Sequence, residues 1–179
     1  KPRNIQVDCK WTDEEYKKAK ELLKCATVLQ YTLPGFPSIY YGDEAGVQGG
    51  GDPFNRSFFP WGAEDSDITE WYQKLAAVRN SLKCLKNGVF KPYSAMLSCV
   101  AYMRETDEEK IMVIANRNYH EIDYYLPDEF KYKEELISST YTKEYVKIPA
   151  NSAVIIKSWW WSYLSSKRGG PPFDLLFYE

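Results

Sequence analysis

The sequence predicts an α+β chain in two parts, a helix–strand–helix segment over residues 1–86 and an antiparallel β-sandwich over residues 87–158, followed by a tail at 159–179 of different character. Three observations carry this. Two apolar stripes recur at helical spacing, a short apolar run sits between turn residues, and a later series of β-prone runs is spaced by roughly ten residues.

Residues 1–11 show no clear period. Thr12 stands three residues before Glu15, a capping-box spacing. Asp13, Glu14 and Glu15 put negative charge where a helix N-terminus favours it. Tyr16, Ala19, Leu22, Leu23, Ala26 and Leu29 then mark one face, and Lys17, Lys18 and Lys20 belong to a solvated face. This predicts a helix over 13–31, stopped by Pro34 and Gly35. The run Ser38, Ile39, Tyr40, Tyr41 is apolar on both faces, as a strand buried between helices is. Helix, tight turn and buried strand form half of a βαβ alternation, which implies a parallel sheet. A long loop over 43–65 follows, of a length that is usually functional or disordered. Its Phe54, Phe58, Phe59 and Trp61 argue against disorder.

Asp67 with Glu70 gives the next N-cap signal, and Ile68, Trp71, Tyr72, Leu75, Val78 and Leu82 predict a second helix over 68–82. Asn87-Gly88 marks a turn. Strands are expected at 98–104, 111–115, 121–126, 135–139, 144–148 and 153–157, so the boundary between the two parts falls between Leu85 and Phe90. No internal repeat is visible. In the tail, Trp159, Trp160 and Trp161 precede a linker-like Ser165-Ser166-Lys167-Arg168-Gly169-Gly170-Pro171-Pro172. Residues 173–179 are apolar without a period and fit an added strand, a partner-binding segment or a non-native remnant.

With 179 residues, 44% hydrophobic and 16% aromatic, the chain has ample material for a core. A net charge of −2 makes no electrostatic case for nucleic acid or an anionic membrane. No apolar run approaches the roughly 20 residues of a membrane span, and the first residues lack the apolar core of a signal peptide, which favours a cytoplasmic setting. Cys9, Cys25, Cys84 and Cys99 are widely spread, without a CxxC or Cys/His cluster. They read as free, buried thiols, and neither a metal site nor a cofactor is expected.

Asp43 and Glu44 invite a two-carboxylate glycosidase reading, in which the groups flank the bond roughly 5–9 Å apart. Neighbours at a strand end point to opposite sides, so a structural role is expected for both. Asp52 and Arg56 are the stronger binding candidates, because a carboxylate accepts from sugar hydroxyls and a guanidinium donates to them. A local ion pair holding the loop is the alternative. Tyr40 and Tyr41 are expected in packing rather than on a ligand. Consecutive strand residues alternate faces, so Trp159, Trp160 and Trp161 cannot stack on one sugar together. His120 reads as a surface strand residue.

The stretch Pro34-Gly35-Phe36-Pro37-Ser38-Ile39-Tyr40-Tyr41-Gly42-Asp43-Glu44-Ala45-Gly46, then Gly49-Gly50-Gly51-Asp52-Pro53-Phe54-Asn55-Arg56, then Pro60-Trp61, resembles the end of the catalytic barrel in the α-amylase superfamily, glycoside hydrolase family 13. The D-P-x-N-R segment is most similar to neopullulanases, cyclomaltodextrinases and maltogenic amylases. The resemblance extends over residues 12–158. It implies the last helix–strand–helix portion of a (β/α)8 barrel with a C-terminal sandwich behind it, and it places the loop on the face where barrel active sites sit. It also implies that Asp52 and Arg56 contact glucose units on the non-reducing side of the cleaved bond. A whole barrel takes about 250 residues, far more than the first part holds. The family's catalytic carboxylates lie on earlier strands, and Asn4-Ile5-Gln6-Val7-Asp8 does not match the N-H-D motif of one of them. No catalytic residue is therefore assigned.

The expected role is that of a C-terminal fragment of a retaining hydrolase acting on α-glucans or maltooligosaccharides, through α-1,4 or α-1,6 bonds, inactive alone. A non-catalytic carbohydrate-binding or interaction module is the alternative. Residues 1–85 are expected either to pack on the sandwich in an arrangement foreign to the family or to self-associate through the exposed barrel remnant.

Overall fold

The computed structural model of the chain describes residues 11–96 and 98–158. The readings of residues 1–10, with Cys9, and of the tail at 159–179, with its three tryptophans, lie outside the described residues.

Helix α1 spans Asp13–Thr32 and opens on the expected capping box, Thr12 and Glu15 each accepting from the other's backbone N–H. Leu33 closes it just before Pro34. Helix α2 spans Ser66–Ser81, and its N-cap is Asp65 rather than the expected Asp67: the Asp65 carboxylate accepts from the Ile68 amide at 3.2 Å. Asp67 is drawn away by Lys20 and Lys24, at 2.9 and 2.5 Å. A short helix α3, Lys83–Asn87, follows.

The expected strand at 38–41 does not form, and no parallel pairing exists among the described residues. A strand needs a neighbour to take its backbone hydrogen bonds. Here the segment runs beside α1 without strand structure, its Ser38 carbonyl accepting from the Gln30 side-chain amide.

Eight strands follow among the described residues. β1 is Val89–Met96, β2 Cys99–Glu105, β3 Lys110–Asn116, β4 Ile122–Tyr125, β5 Glu134–Glu135, β6 Thr140–Tyr141, β7 Tyr145–Ile148 and β8 Ser152–Ser158. They form a six-stranded sheet in the order β1-β2-β3-β8-β5-β6 and a two-stranded β4–β7 ribbon, every pair antiparallel. β1 escapes sequence reading because it is an edge strand, exposed along nearly its whole length and broken in register between Pro92 and Ser94. The expected strand at 135–139 shrinks to two residues. The buried Glu135 carboxylate accepts from the amides of Ile137, Ser138 and Ile155, which turns the chain. His120 lies in the β3–β4 turn, not on a strand, with its carbonyl accepting from the Asn116 amide group.

The six-stranded sheet is covered on both faces. Tyr102, Ile111, Val113, Ala115, Ala153 and Ile155 meet Cys25, Val28, Tyr31, Ile68, Tyr72 and Leu75 of α1 and α2. On the other face Met103, Met112, Ile114, Val154 and Ile156 meet Leu126, Phe130 and Ile148 under the ribbon. This explains why β3 and β8 read as unbroken apolar runs instead of alternating. Cys25, Cys84 and Cys99 are free and buried.

Arg104 of β2 locks the helices to the sheet. It is 2% exposed, and its guanidinium donates to the Thr32 carbonyl at 2.9 Å and the Gly88 carbonyl at 3.0 Å. α1 has no basic residue in its own last turn, so Arg104 supplies the cation that a helix C-terminus favours. Thr32 Oγ1 also lies 2.5 Å from the Tyr102 hydroxyl. Arg79 of α2 adds bonds to the carbonyls of Tyr31 and Gly35, each at 2.5 Å. Replacing Arg104 by Ala leaves a cavity and two carbonyls without their donor, so urea unfolding should show a loss of about 2–4 kcal/mol. A loss below about 0.5 kcal/mol, the level of an ordinary surface change, would refute this role.

Candidate functional site

The loop over 43–65 is built on two tight turns. Gly42 (φ 93°) and Gly46 (φ 70°) bracket a single 3-10 turn, Asp43–Ala45. A Cβ on Gly46 would lie 2.5 Å from the Tyr16 hydroxyl and 2.9 Å from Asp65 Cβ, so that position is closed to side chains on two counts. The Glu44 carboxylate folds back to accept from the Gly42 amide at 2.9 Å. Asp43 faces a cavity instead. Burial raises its carboxyl above the usual range, and the charge of Glu44 adds to that.

Asp65 is the anchor at the far end of the loop. Its backbone N–H donates to the Ala45 carbonyl at 3.0 Å, and its carboxylate accepts from the Tyr16 hydroxyl at 2.8 Å and from Lys20 at 2.9 Å. Lys20 is therefore an ion-pair residue rather than part of a solvated face. Burial works to raise the Asp65 carboxyl, but Lys20, Tyr16 and the Ile68 amide outweigh it and hold it below the carboxylate range. The Tyr16 hydroxyl is pushed up to about 12, by burial first and then by Asp65.

Between these ends, Phe54 donates to the Gly51 carbonyl and Arg56 to that of Pro53, across a cis Asp52–Pro53 peptide. This brings Asp52 and Arg56 together. Arg56 Nε and Nη2 lie 2.8 and 2.7 Å from Asp52 Oδ1. The two side chains are 64% and 67% exposed, so the pair faces water. Behind it a cavity of about 280 Å³ is bounded by Trp11, Tyr16, Tyr41, Asp43, Gln48 and Asn55. Tyr40 and Tyr41 line this cavity and are half-exposed instead of packed away, because no strand lies beside them. Tyr41 uses its hydroxyl to hold the Ser57 carbonyl at 3.1 Å. Phe36, Phe58 and Trp61 are almost fully exposed. Among the described residues no cluster of His, Cys, Asp or Glu is placed to hold a metal, and no helix is long and apolar enough to cross a membrane.

The structure thus pairs Asp52 with Arg56, sets Glu44 into its own turn and puts His120 in the β3–β4 turn, outside the loop. Sequence reading missed Asp65 as the organising residue. Asp65 and Asp67 both stand before the second apolar stripe, and the Glu three residues after Asp67 favoured the wrong one.

No family model matches the chain. An amylopullulanase from Thermoanaerobacter thermohydrosulfuricus is 53% identical over 70 residues, 39% of this chain and 5% of that protein. A cyclomaltodextrinase from Thermoanaerobacter pseudethanolicus is 33% identical over 140 residues, 75% of this chain and 24% of that one. A solved maltogenic amylase from S. marinus superposes with a TM-score of 0.67 at 30% identity, covering 77% of this chain and 19% of that one. A solved cyclomaltodextrinase gives a TM-score of 0.67 at 29% identity, covering 79% and 26%. The chain spans about a quarter or less of the curated relatives it matches.

Asp65 makes the loop sensitive to acid. Its folded-state pKa lies below its unfolded value of roughly 3.9, so the unfolded chain takes up the proton more readily. The stability this provides is present in full above that value and is lost as pH falls through the folded one. The melting temperature should therefore drop on acidification below about pH 4, and Asp65→Asn should flatten that drop. An Asp65→Asn variant with an unchanged acid limb would rule the anchor out.

Proposed function

Because the chain belongs to the α-amylase superfamily of glycoside hydrolases, with amylopullulanases and cyclomaltodextrinases among its relatives, we propose that it supplies the substrate loop and the C-terminal sandwich of an enzyme acting on α-glucans or maltooligosaccharides. In this reading Asp52 and Arg56 hold a glucose unit, and the carboxylates that cut the bond with retention lie beyond these 179 residues. The observation that carries it is the preformed, water-facing Asp52–Arg56 pair on a loop anchored at both ends. Arg56 engages only one carboxylate oxygen of Asp52. The second oxygen can accept from a sugar hydroxyl, and the remaining guanidinium N–H groups can donate to one. Asp43 and Glu44 are adjacent on one turn, with Glu44 committed to the Gly42 amide. They do not supply the opposed pair that glycoside cleavage needs.

A chimera tests this. The matching residues of the Thermoanaerobacter pseudethanolicus cyclomaltodextrinase are replaced by this chain's aligned segment, and hydrolysis of that enzyme's own substrate is followed. The chimera should be active. Arg56→Ala within it should lower kcat/KM by about 10- to 150-fold, the equivalent of the ~1.5–3 kcal/mol of a hydrogen bond to a charged group. A change below about twofold would reject the sugar contact. The 179-residue chain by itself should release no reducing ends from maltoheptaose above the blank.

The same reading accounts for exposed Phe36, Phe58 and Trp61 as surface that further protein covers. In isolation that surface should drive self-association, visible as a concentration-dependent mass in light scattering. A constant monomer mass into the high micromolar range would refute it.

A further inference from the structure

We propose that Asn87-Gly88, where α3 passes into β1, is a self-modification site that the fold holds shut and that reacts when this junction opens. Asparagine is a thermolabile residue, and a following glycine has no side chain to hinder its own nitrogen. The reaction needs only water. The Gly88 nitrogen loses its proton and attacks Cγ of Asn87. A new C–N bond closes a cyclic imide, and ammonia leaves with the amide nitrogen. Water then opens the ring on one side or the other, giving aspartate or isoaspartate.

The structure presents the side chain and withholds the nucleophile. Asn87 is exposed at the end of α3, so water and base reach its amide. The Gly88 N–H points back into the helix and donates to the Cys84 carbonyl at 3.0 Å. Attack on Asn87 requires that bond to break and the nitrogen to turn away from Cys84. The Gly88 carbonyl is held as well, accepting from the buried Arg104 at 3.0 Å. The β2–β3 hairpin that carries Arg104 also grips the start of α3. Glu109 accepts from the Cys84 amide at 2.6 Å, and Glu108 pairs with Lys83 at 2.6 Å. Arg104 therefore governs how often the junction opens.

The packing makes the change one-way. A Cβ built on Gly88 would run into the Cys84 carbonyl oxygen and lie 2.7 Å from that of Glu105. Isoaspartate inserts a further carbon into the main chain directly before this point, where there is no room for it. Either product also puts a carboxylate at the C-terminus of α3, which already carries partial negative charge. A modified junction does not close again as it was.

The test ages the 179-residue chain at mildly alkaline pH, folded and in urea above its unfolding midpoint, and follows Asn87 by peptide mass spectrometry with isoaspartate-specific labelling. In the folded chain Asn87 should react more slowly than in the unfolded one by about tenfold or more, because reaction then runs only through the small open fraction. Arg104→Ala removes the donor to the Gly88 carbonyl. It should raise the folded-state rate about tenfold or more, the range for one lost hydrogen bond to a charged group. Should that variant not fold, the parent chain in urea below its midpoint decides. There the Asn87 rate and hydrogen exchange at the Gly88 amide should rise together. Equal rates in the folded and unfolded chains overturn the proposal. So does an unchanged rate in folded Arg104→Ala, or an Asn87 rate that stays flat while Gly88 exchange rises. None of these readouts involves Asp52, Arg56 or a sugar.

Discussion

The structure depends first on a guanidinium that pairs with no carboxylate among the described residues. Arg104 is buried in the seam where the C-terminus of α1 meets the six-stranded sheet, and among the described residues it is held by backbone carbonyls. Burial lowers its pKa from an arginine's ordinary value, yet the group stays charged, because arginine is not deprotonated in proteins. The last turn of a helix carries partial negative charge and carbonyls without partners. Arg104 meets both needs at once, which is why a buried cation is tolerated here. Without it, the apolar face of α1 could still lie on Ile111, Val113 and Ile155, but nothing polar would set where along the sheet the helix stops.

The position of α1 then decides the loop. Its first two turns carry Tyr16 and Lys20, and these hold Asp65, which caps α2 and ties the loop back to Ala45. One carboxylate thus joins two helices and the base of the loop. Gly46 must be glycine because Tyr16 and Asp65 close over it. The Asp52–Arg56 pair owes its outward placement to these anchors as well as to the local turns around Gly51 and Pro53. At the opposite end of the segment the rings of Tyr40 and Tyr41 line the cavity.

The helices and most of the sandwich strands were legible because their signals are local. The Thr12–Glu15 capping box, the stripe ending at Leu29 and the Pro34 stop need no knowledge of the rest of the chain. The Asp52–Arg56 pairing was legible for the same reason, since four residues and two turns bring the side chains together. β1 was not, because an exposed edge strand carrying Pro92 has neither an alternating pattern nor an apolar run. The strand at 38–41 was read from β-propensity and failed for want of a neighbour, since backbone pairing is a property of two segments and not of one.

By itself, then, the sequence determined the two helices, the apolar β3 and β8, the motif that places the chain in its superfamily and the order of the loop's charged residues. The tertiary structure alone decided which aspartate caps α2, that Lys20 is an ion-pair residue and that Arg104 is buried on α1's last carbonyls. The reason is range. Caps, stripes and turns act within a few residues, whereas Tyr16 and Asp65, Thr32 and Arg104, or Thr27 and Trp71 meet only after α1 and α2 have packed together and on the sheet.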